Sequence, residues 1–285
     1  MKEEKERVDV LLVERGLIES REKAKAAIMA GLVYSGTERL EKAGMKISIA
    51  SPLAVKGAVH PYVSRGGLKL EKAIRHFGLA LAGRTMMDIG ASTGGFTDCA
   101  LQHGVGLVYA IDVGYNQLDW SLRNHPQVRV MERTNFRYMQ PEDLNGPLPD
   151  FAATDVSFIS LKLILPPMKA LLVRGGEAVA LIKPQFEAGR DQVGKSGVVR
   201  DPAVHRAVLL DVLNFADELG LHLKGLTYSP ITGGEGNIEF LACWQVADAE
   251  SPESAQAPSS PEERMRLVDE VAAQSAELKR KEKKD

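Results

Sequence analysis

The stretch Thr-Met-Met-Asp-Ile-Gly-Ala-Ser-Thr-Gly-Gly-Phe-Thr, residues 85–97, decides the reading of this chain. A short apolar run ends in Gly90, and Gly94 and Gly95 follow, so the backbone can turn sharply from a strand into a helix. Open α/β sheets hold their ligands at such carboxyl ends of strands. Outward from it, strand-like runs LVYAIDV (107–113), VRVMER (128–133), FAATDVS (151–157) and EAVALIK (177–183) alternate with helical patterns over 94–104, 161–173 and 202–219. Asp201-Pro202 and Gly220 mark the start and stop of the last helix. This alternation predicts a doubly wound, mostly parallel sheet. The runs LKGLTYS (223–229) and IEFLACWQV (238–246) follow one another without a helix, which predicts an antiparallel hairpin at one edge.

The whole chain has 285 residues, 44% hydrophobic and 26% charged, the balance of a folded protein with a sizeable core and room for two unequal domains. Ahead of the sheet, helical spacing over Val8–Arg15 stops at Gly16, and Ser20 precedes a second helical run, Arg21–Ala30. The strand-like LVYSG (32–36) and a further short strand ending near Ile49 complete a small α+β module. Pro52, Gly57 and Pro61 mark a linker. The expected division is a small domain over 1–60, a linker over 61–64, the sheet domain over 65–247, and a flexible, partly helical charged tail over 248–285 that ends in KRKEKKD.

Net charge is −2, yet residues 1–76 carry 15 Lys and Arg against 10 Asp and Glu, so the front end is basic and suits an electrostatic docking surface. Cys99 and Cys243 are far apart and belong to no metal-ligand pattern, which fits a reducing, cytoplasmic setting without structural zinc. The stretch MKEEKERVDV lacks the apolar region of an export signal, and no run of 18 uncharged apolar residues occurs. No membrane and no metal partner is expected.

The glycine turn is not a dinucleotide fingerprint, because GxGxxG would need glycine where Ser92 stands. Asp112 ends the second strand, where an acidic residue can bind ribose hydroxyls. Together they suit an adenosine-bearing cofactor without a pyrophosphate, S-adenosyl-L-methionine, unless the turn is structural alone. Gly189–Ser196 spells the phosphate-loop pattern GxxxxGK[ST], but residues 184–188 separate it from the strand, and Gly197 and Pro202 oppose a helix at its end. Lys69, Asp155, Lys183 and Glu239 fall at element ends that should converge above the sheet. A lysine beside a second cation, shielded from water, can have its pKa lowered from about 10.4 toward neutrality and so take a hydroxyl proton.

The series Lys69, Asp155, Lys183, Glu239 around DIGASTGGFT resembles the K-D-K-E tetrad of the FtsJ-like ribose 2′-O-methyltransferases. The strings YVSRGGLKLEKA (62–73), TDVSFISL (154–161), IKPQFEAG (182–189), GKSGVVRD (194–201) and GNIEFL (236–241) resemble the TlyA, or hemolysin A, family. The front module is similar to the small RNA-binding domain named after ribosomal protein S-four. The resemblance covers the chain to about Val246. It implies a Rossmann-like, S-adenosylmethionine-dependent enzyme that methylates cytidine ribose in 16S or 23S ribosomal RNA, with ribosomal subunits as partners. It implies Lys183 as the catalytic lysine, partnered by Lys69, Asp155 and Glu239. Cofactor contacts would come from Gly90, Ala91, Ser92, Gly94, Gly95, Phe96, Asp112, Val113 and Asn135. RNA contacts would come from Arg7, Arg15, Ser20, Arg21, Lys23, Lys25, Lys42 and Arg65, and GKSGVVRD becomes a substrate-side loop. The rival readings are a noncatalytic ribosome-binding or assembly factor, and membrane lysis, against which the absence of an export signal and a spanning segment argues.

Overall fold

The computed structural model describes residues 4–29, 31–56, 60–247 and 260–282, with residues 235 and 276–282 described by backbone alone. The chain divides into two compact units, Met1–Arg65 and Gly66–Asp285.

In the N-terminal unit, β1 (Lys5–Arg7) leads into α1 (Val8–Glu14), which Gly16 ends in the left-handed region at φ 66°. Helix α2 (Arg21–Met29) starts where the Ser20 hydroxyl accepts the Lys23 N–H at 3.2 Å. Ala30, the expected last residue of that helix, lies outside the described residues. Strand β2 (Val33–Ser35) pairs with β3 (Glu38–Arg39) and with β5 (Ala54–Val55), while β4 (Lys46–Ser48) pairs antiparallel with β1. Val8, Leu12, Ala24, Ala27, Ile28, Val33 and Leu40 form the core, as the i, i+3, i+4 spacing of the two helices requires.

The C-terminal unit opens with α3 (Gly66–Phe77) and then winds a seven-stranded sheet: β6 (Thr85–Ile89), α4 (Gly95–Gln102), β7 (Leu107–Ile111), α5 (Trp120–Arg123), β8 (Val128–Met131), β9 (Phe151–Thr154), α6 (Leu165–Leu171), β10 (Glu177–Ile182), α7 (Pro184–Glu187), α8 (Pro202–Glu218), β11 (Leu221–Tyr228), β12 (Phe240–Val246) and α9 (Pro261–Glu282). Strand order is β11-β12-β10-β9-β6-β7-β8. Strands β10, β9, β6, β7 and β8 are parallel neighbours, and β12 runs antiparallel between β10 and the edge strand β11. This is the predicted sheet with its edge hairpin. Every residue of β9 and all but the first of β6, β7 and β10 are buried, as strands covered on both faces must be. The chain leaves β6 toward β7 on one side and reaches β9 on the other, so a crevice opens at their carboxyl ends.

Two expectations need correcting. The helix expected over 161–173 is a 3₁₀ turn at Leu161–Leu163 followed by α6, because Pro166 and Pro167 lack N–H donors and fit only in a first turn. The tail is not a solvated helix throughout. Val268 and Val271 on α9 are buried in the main core, and Arg264 pairs with Asp217 of α8 at 3.0 Å and Asp269 with Arg206 of α8 at 2.5 Å. An apolar stripe at helical spacing met an open face of α8. The spacer 248–259 lies outside the described residues, as do the side chains of the basic end.

Candidate active site

A cavity of about 410 Å³ sits at the carboxyl ends of β6, β7, β8 and β9. Gly90, Ser92, Asp112, Val113 and Asn135 line it, with Ile89, Ile111, Gln117, Thr134, Phe136 and the segment Asp155–Ile159. Ala91, Gly94, Gly95 and Phe96, expected at the same ligand, do not line it. They build the turn from behind: the Ala91 N–H donates to the Ile111 carbonyl at 3.1 Å, and Phe96 is buried in the first turn of α4. Gly94 is needed twice over. Its φ is 97°, and a Cβ there would stand 2.3 Å from Leu122 Cδ1 and 2.8 Å from Leu118 Cδ1.

Asp112 holds the glycine turn while it lines the cavity. Its Oδ2 accepts the Ser92 N–H at 2.8 Å and its Oδ1 the Gly114 N–H at 2.7 Å. Each oxygen keeps a second lone pair. Asp88 lies fully buried below the turn, with Oδ2 accepting from the Thr97 N–H and hydroxyl at 2.9 and 2.6 Å, while Oδ1 accepts no hydrogen bond. Burial pushes the Asp88 carboxyl up to about 7 against the pull of the two Thr97 bonds, and Asp155 and Asp112 push the same way. Two carboxylates, Asp112 and Asp155, line one crevice, and they fit a ligand that carries positive charge near an adenosine-sized pocket. A sulfonium and an ammonium on S-adenosyl-L-methionine meet that description.

Asp88 also sets a pH dependence. Its folded pKa lies above the unfolded value near 4, so the stability it contributes is full below about pH 4 and lost as pH rises through about 7. The expected loss for the ligand-free chain is on the order of 4 kcal/mol between pH 4 and pH 8. Urea unfolding of wild type and Asp88→Asn should give a stability difference that changes by that order across the window. A difference constant with pH would contradict it.

Four residues expected to converge do so. Lys69, in the first turn of α3, places Nζ 3.1 Å from Asp155 Oδ2 and 2.8 Å from Glu239 Oε2. Lys183, next after β10, places Nζ 2.5 Å from Asp155 Oδ1 and 2.9 Å from the Ser157 hydroxyl. Asp155 follows β9 and lines the cavity; Lys69, Lys183 and Glu239 are not among its lining residues. Glu239 precedes β12 and packs on bare backbone, since a Cβ on Gly233 would come within 2.1 Å of its Oε1. All but Asp155 are buried.

The electrostatics differ from the expectation of two cations lowering each other. Asp155 stands between the ammonium groups, so each lysine has a carboxylate as its nearest charge. Burial alone would lower the Lys69 pKa, but Asp155 and Glu239 outweigh it and hold Lys69 above its ordinary value. Burial alone would raise Asp155, and Lys69 and Lys183 outweigh it to hold the carboxylate below its usual range. The lysine whose pKa burial does depress is Lys72, one turn along α3, brought down to about 8. Its Nζ donates to the Tyr228 carbonyl at 2.5 Å and sits 3.6 Å from the Tyr228 ring centre.

Sequence reasoning also passed over Ser157, Phe158 and Glu132. Phe158 is 91% exposed, lines the cavity mouth with φ 63°, and meets Phe186 at 5.0 Å between ring centres. Glu132 accepts from the Gln117 N–H at 3.1 Å and from Arg123 at 2.6 Å, fixing the loop after β7. Alternating apolar and polar letters mark strands and leave such loop partners unmarked.

In the N-terminal unit the expected RNA contacts divide. Arg7 and Arg21 both bond Asp9. Arg15 is exposed and donates to the Ser51 and Ile49 carbonyls at 2.7 and 2.5 Å. Ser20 caps α2 and Lys23 pairs with Glu19. Lys25, Lys42 and Arg65 are exposed. Among the described residues no three His, Cys, Asp or Glu side chains converge on a metal site, and no helix is long and apolar enough to cross a membrane.

Residues 62–246 match the FtsJ-like methyltransferase family, and residues 6–50 match the S4 domain. The chain is 58% identical over 271 residues to YqxC of Bacillus subtilis, covering 95% of each. It is 44% identical over 236 residues to the 16S/23S rRNA (cytidine-2'-O)-methyltransferase TlyA of Mycobacterium tuberculosis, covering 82% of this chain and 88% of that one. A solved structure from Streptococcus thermophilus that carries a hemolysin name superposes with a TM-score of 0.76 at 50% identity, over 99% of this chain and 100% of the other. With its glycine turn, its joined lysine and carboxylate side chains and these matches together, the chain belongs to the FtsJ-like methyltransferase family, in the TlyA group that carries an S4 domain ahead of the enzyme fold.

Proposed function

We propose that this protein transfers the methyl group of S-adenosyl-L-methionine to the ribose 2′-hydroxyl of cytidine in ribosomal RNA, 16S, 23S or both, within the cytoplasm. The observation that carries the reading is the continuous ion-paired chain Glu239–Lys69–Asp155–Lys183, whose Asp155 forms a wall of the cavity. The 44% identity to a cytidine-2'-O-methyltransferase supports the choice of substrate.

When bound, the cofactor supplies an activated methyl group on a cationic sulfur. Gly90 and Ser92 would hold it at the strand ends, and the second lone pairs of Asp112 would be free to accept hydroxyl donors from it. Asn135 and Val113, on the same cavity wall, would help to hold it. Lys183 Nζ hydrogen-bonds the 2′-hydroxyl and, having first given up a proton to water, takes the hydroxyl proton as the methyl group passes from sulfur to the ribose oxygen. The ammonium so formed is held by Asp155 Oδ1 and Ser157 Oγ, where it already makes bonds of 2.5 and 2.9 Å. Asp155, held below its usual range, is too weak a base for the task, and Lys69, held as a cation, cannot accept a proton. Lys69 instead orients Asp155, and Glu239 orients Lys69.

The test is transfer of tritiated methyl from S-adenosyl-L-methionine to purified ribosomal subunits lacking ribose methylation. Label in the rRNA is the expected result. Tight subunit binding with no label would instead support a noncatalytic factor.

A further inference from the structure

In the N-terminal unit an acidic residue sits where a polyanion-binding surface should have none. Asp9, in the first turn of α1, has no exposed side-chain surface, yet both its oxygens face arginines. Oδ1 accepts from Arg7 Nε at 2.9 Å and Oδ2 from Arg7 Nη2 at 3.0 Å, a two-bond fork that fixes the guanidinium plane. Oδ2 also accepts from Arg21 Nη2 at 3.0 Å. The two arginines come from elements 14 residues apart and remain 39% and 51% exposed.

The backbone completes the arrangement. The Asp9 N–H donates to Ala43 at 3.2 Å and the Val8 N–H to Met45 at 2.9 Å, which docks the loop carrying the exposed Lys42 and Lys46 against the same turn. Arg7 lies along that loop, and a Cβ on Gly44 would touch its guanidinium at 3.6 Å. Arg7 Nη1 and Arg21 Nη1 and Nε take no part in the Asp9 bonds.

We propose that Asp9 is a positioning residue for RNA binding: buried and turned inward, it holds Arg7 and Arg21 as a preformed clamp for one backbone phosphate. The proposal rests on the RNA reading above. Arginine side chains left alone sample many rotamers, and a clamp held in advance loses less freedom on binding. Arg7 holds the Asp9 carboxyl down to about 2, with Arg21 helping against burial, so the anchor stays ionised at any working pH.

The proposal makes a prediction opposite in sign to charge counting. Removing a negative charge from a phosphate-binding surface should tighten binding if Asp9 contributes charge alone. If it positions the arginines, Asp9→Asn should raise the KM for ribosomal subunits about five- to tenfold with kcat unchanged. Arg7→Lys keeps every charge and leaves the anchor intact but cannot form the two-bond fork, and it should raise KM in the same direction. Asp9→Asn added to a chain already carrying Arg7→Gln and Arg21→Gln should change nothing further. The full chain is used throughout, with methyl transfer to purified ribosomal subunits as the readout and saturating S-adenosyl-L-methionine. A lower or unchanged KM for Asp9→Asn, or wild-type behaviour of Arg7→Lys, would overturn the clamp while leaving the RNA reading in place. A wild-type chain that neither binds nor methylates the subunits would overturn both.

Discussion

Lys183→Ala is expected to lower kcat for methyl transfer by about 10²- to 10⁴-fold, the usual worth of a positioned general base. Affinity for S-adenosyl-L-methionine should hold, because Lys183 does not line the cavity. The two readouts separate the chemistry from the pocket. Calorimetry with the cofactor should give wild-type affinity, and a tritium assay on ribosomal subunits should give almost no product. Turnover near the wild-type rate would remove Lys183 from the mechanism. Loss of cofactor binding would show that the substitution disturbs β10 and the wall beside it.

The second large effect belongs to Asp155, whose carboxylate touches both lysines. In Asp155→Ala, two buried ammonium groups lose their shared counter-ion and face each other, and Lys69 keeps only Glu239. Removing one partner of a buried ion pair leaves an uncompensated charge, so the C-terminal unit should lose about 3 kcal/mol of stability at neutral pH. Methyl transfer should fall at least as far as in Lys183→Ala, since the ammonium formed there loses its anchor. Urea unfolding, followed by a signal from the C-terminal unit, measures the first effect. Unchanged stability would mean that the lysines find other partners and that the tetrad is not an electrostatic unit. Asp155→Asn should be milder, since its side-chain oxygen can still accept one lysine bond.

The parts of this account that the sequence made legible are those written in local pattern. Strand-like runs and helices at regular spacing placed the parallel sheet, and Gly90, Gly94 and Gly95 placed its ligand end. Lys69, Asp155, Lys183 and Glu239 were legible as element ends that an α/β sheet brings together, even though Lys69 and Asp155 are 86 residues apart. What could not be read was the order in which the four charges meet. A lysine beside a lysine and a lysine beside an aspartate are the same letters, and only the second holds Lys69 above its ordinary value. Asp112 was legible as a ligand contact because a strand-end aspartate is often one. Its bonds to Ser92 and Gly114 depend on the path of two loops, which no spacing rule fixes. The charge and Pro-Ser content around α9 suggested a solvated tail, yet Val268 and Val271 are buried because a face of α8 lies open to receive them. Asp9 was passed over for a related reason. Its orientation toward Arg7 and Arg21 appears only in three dimensions.

The central claim is that the lysine and carboxylate chain beside the cavity directs methyl transfer to a ribose oxygen. Digesting ribosomal RNA to nucleosides after reaction with the wild-type chain or with Lys183→Ala, and weighing the products by mass spectrometry, tests it most directly. The account predicts 2′-O-methylcytidine with wild type and none above background with Lys183→Ala. A methyl group on the cytosine base, or equal ribose methylation by both proteins, would contradict it.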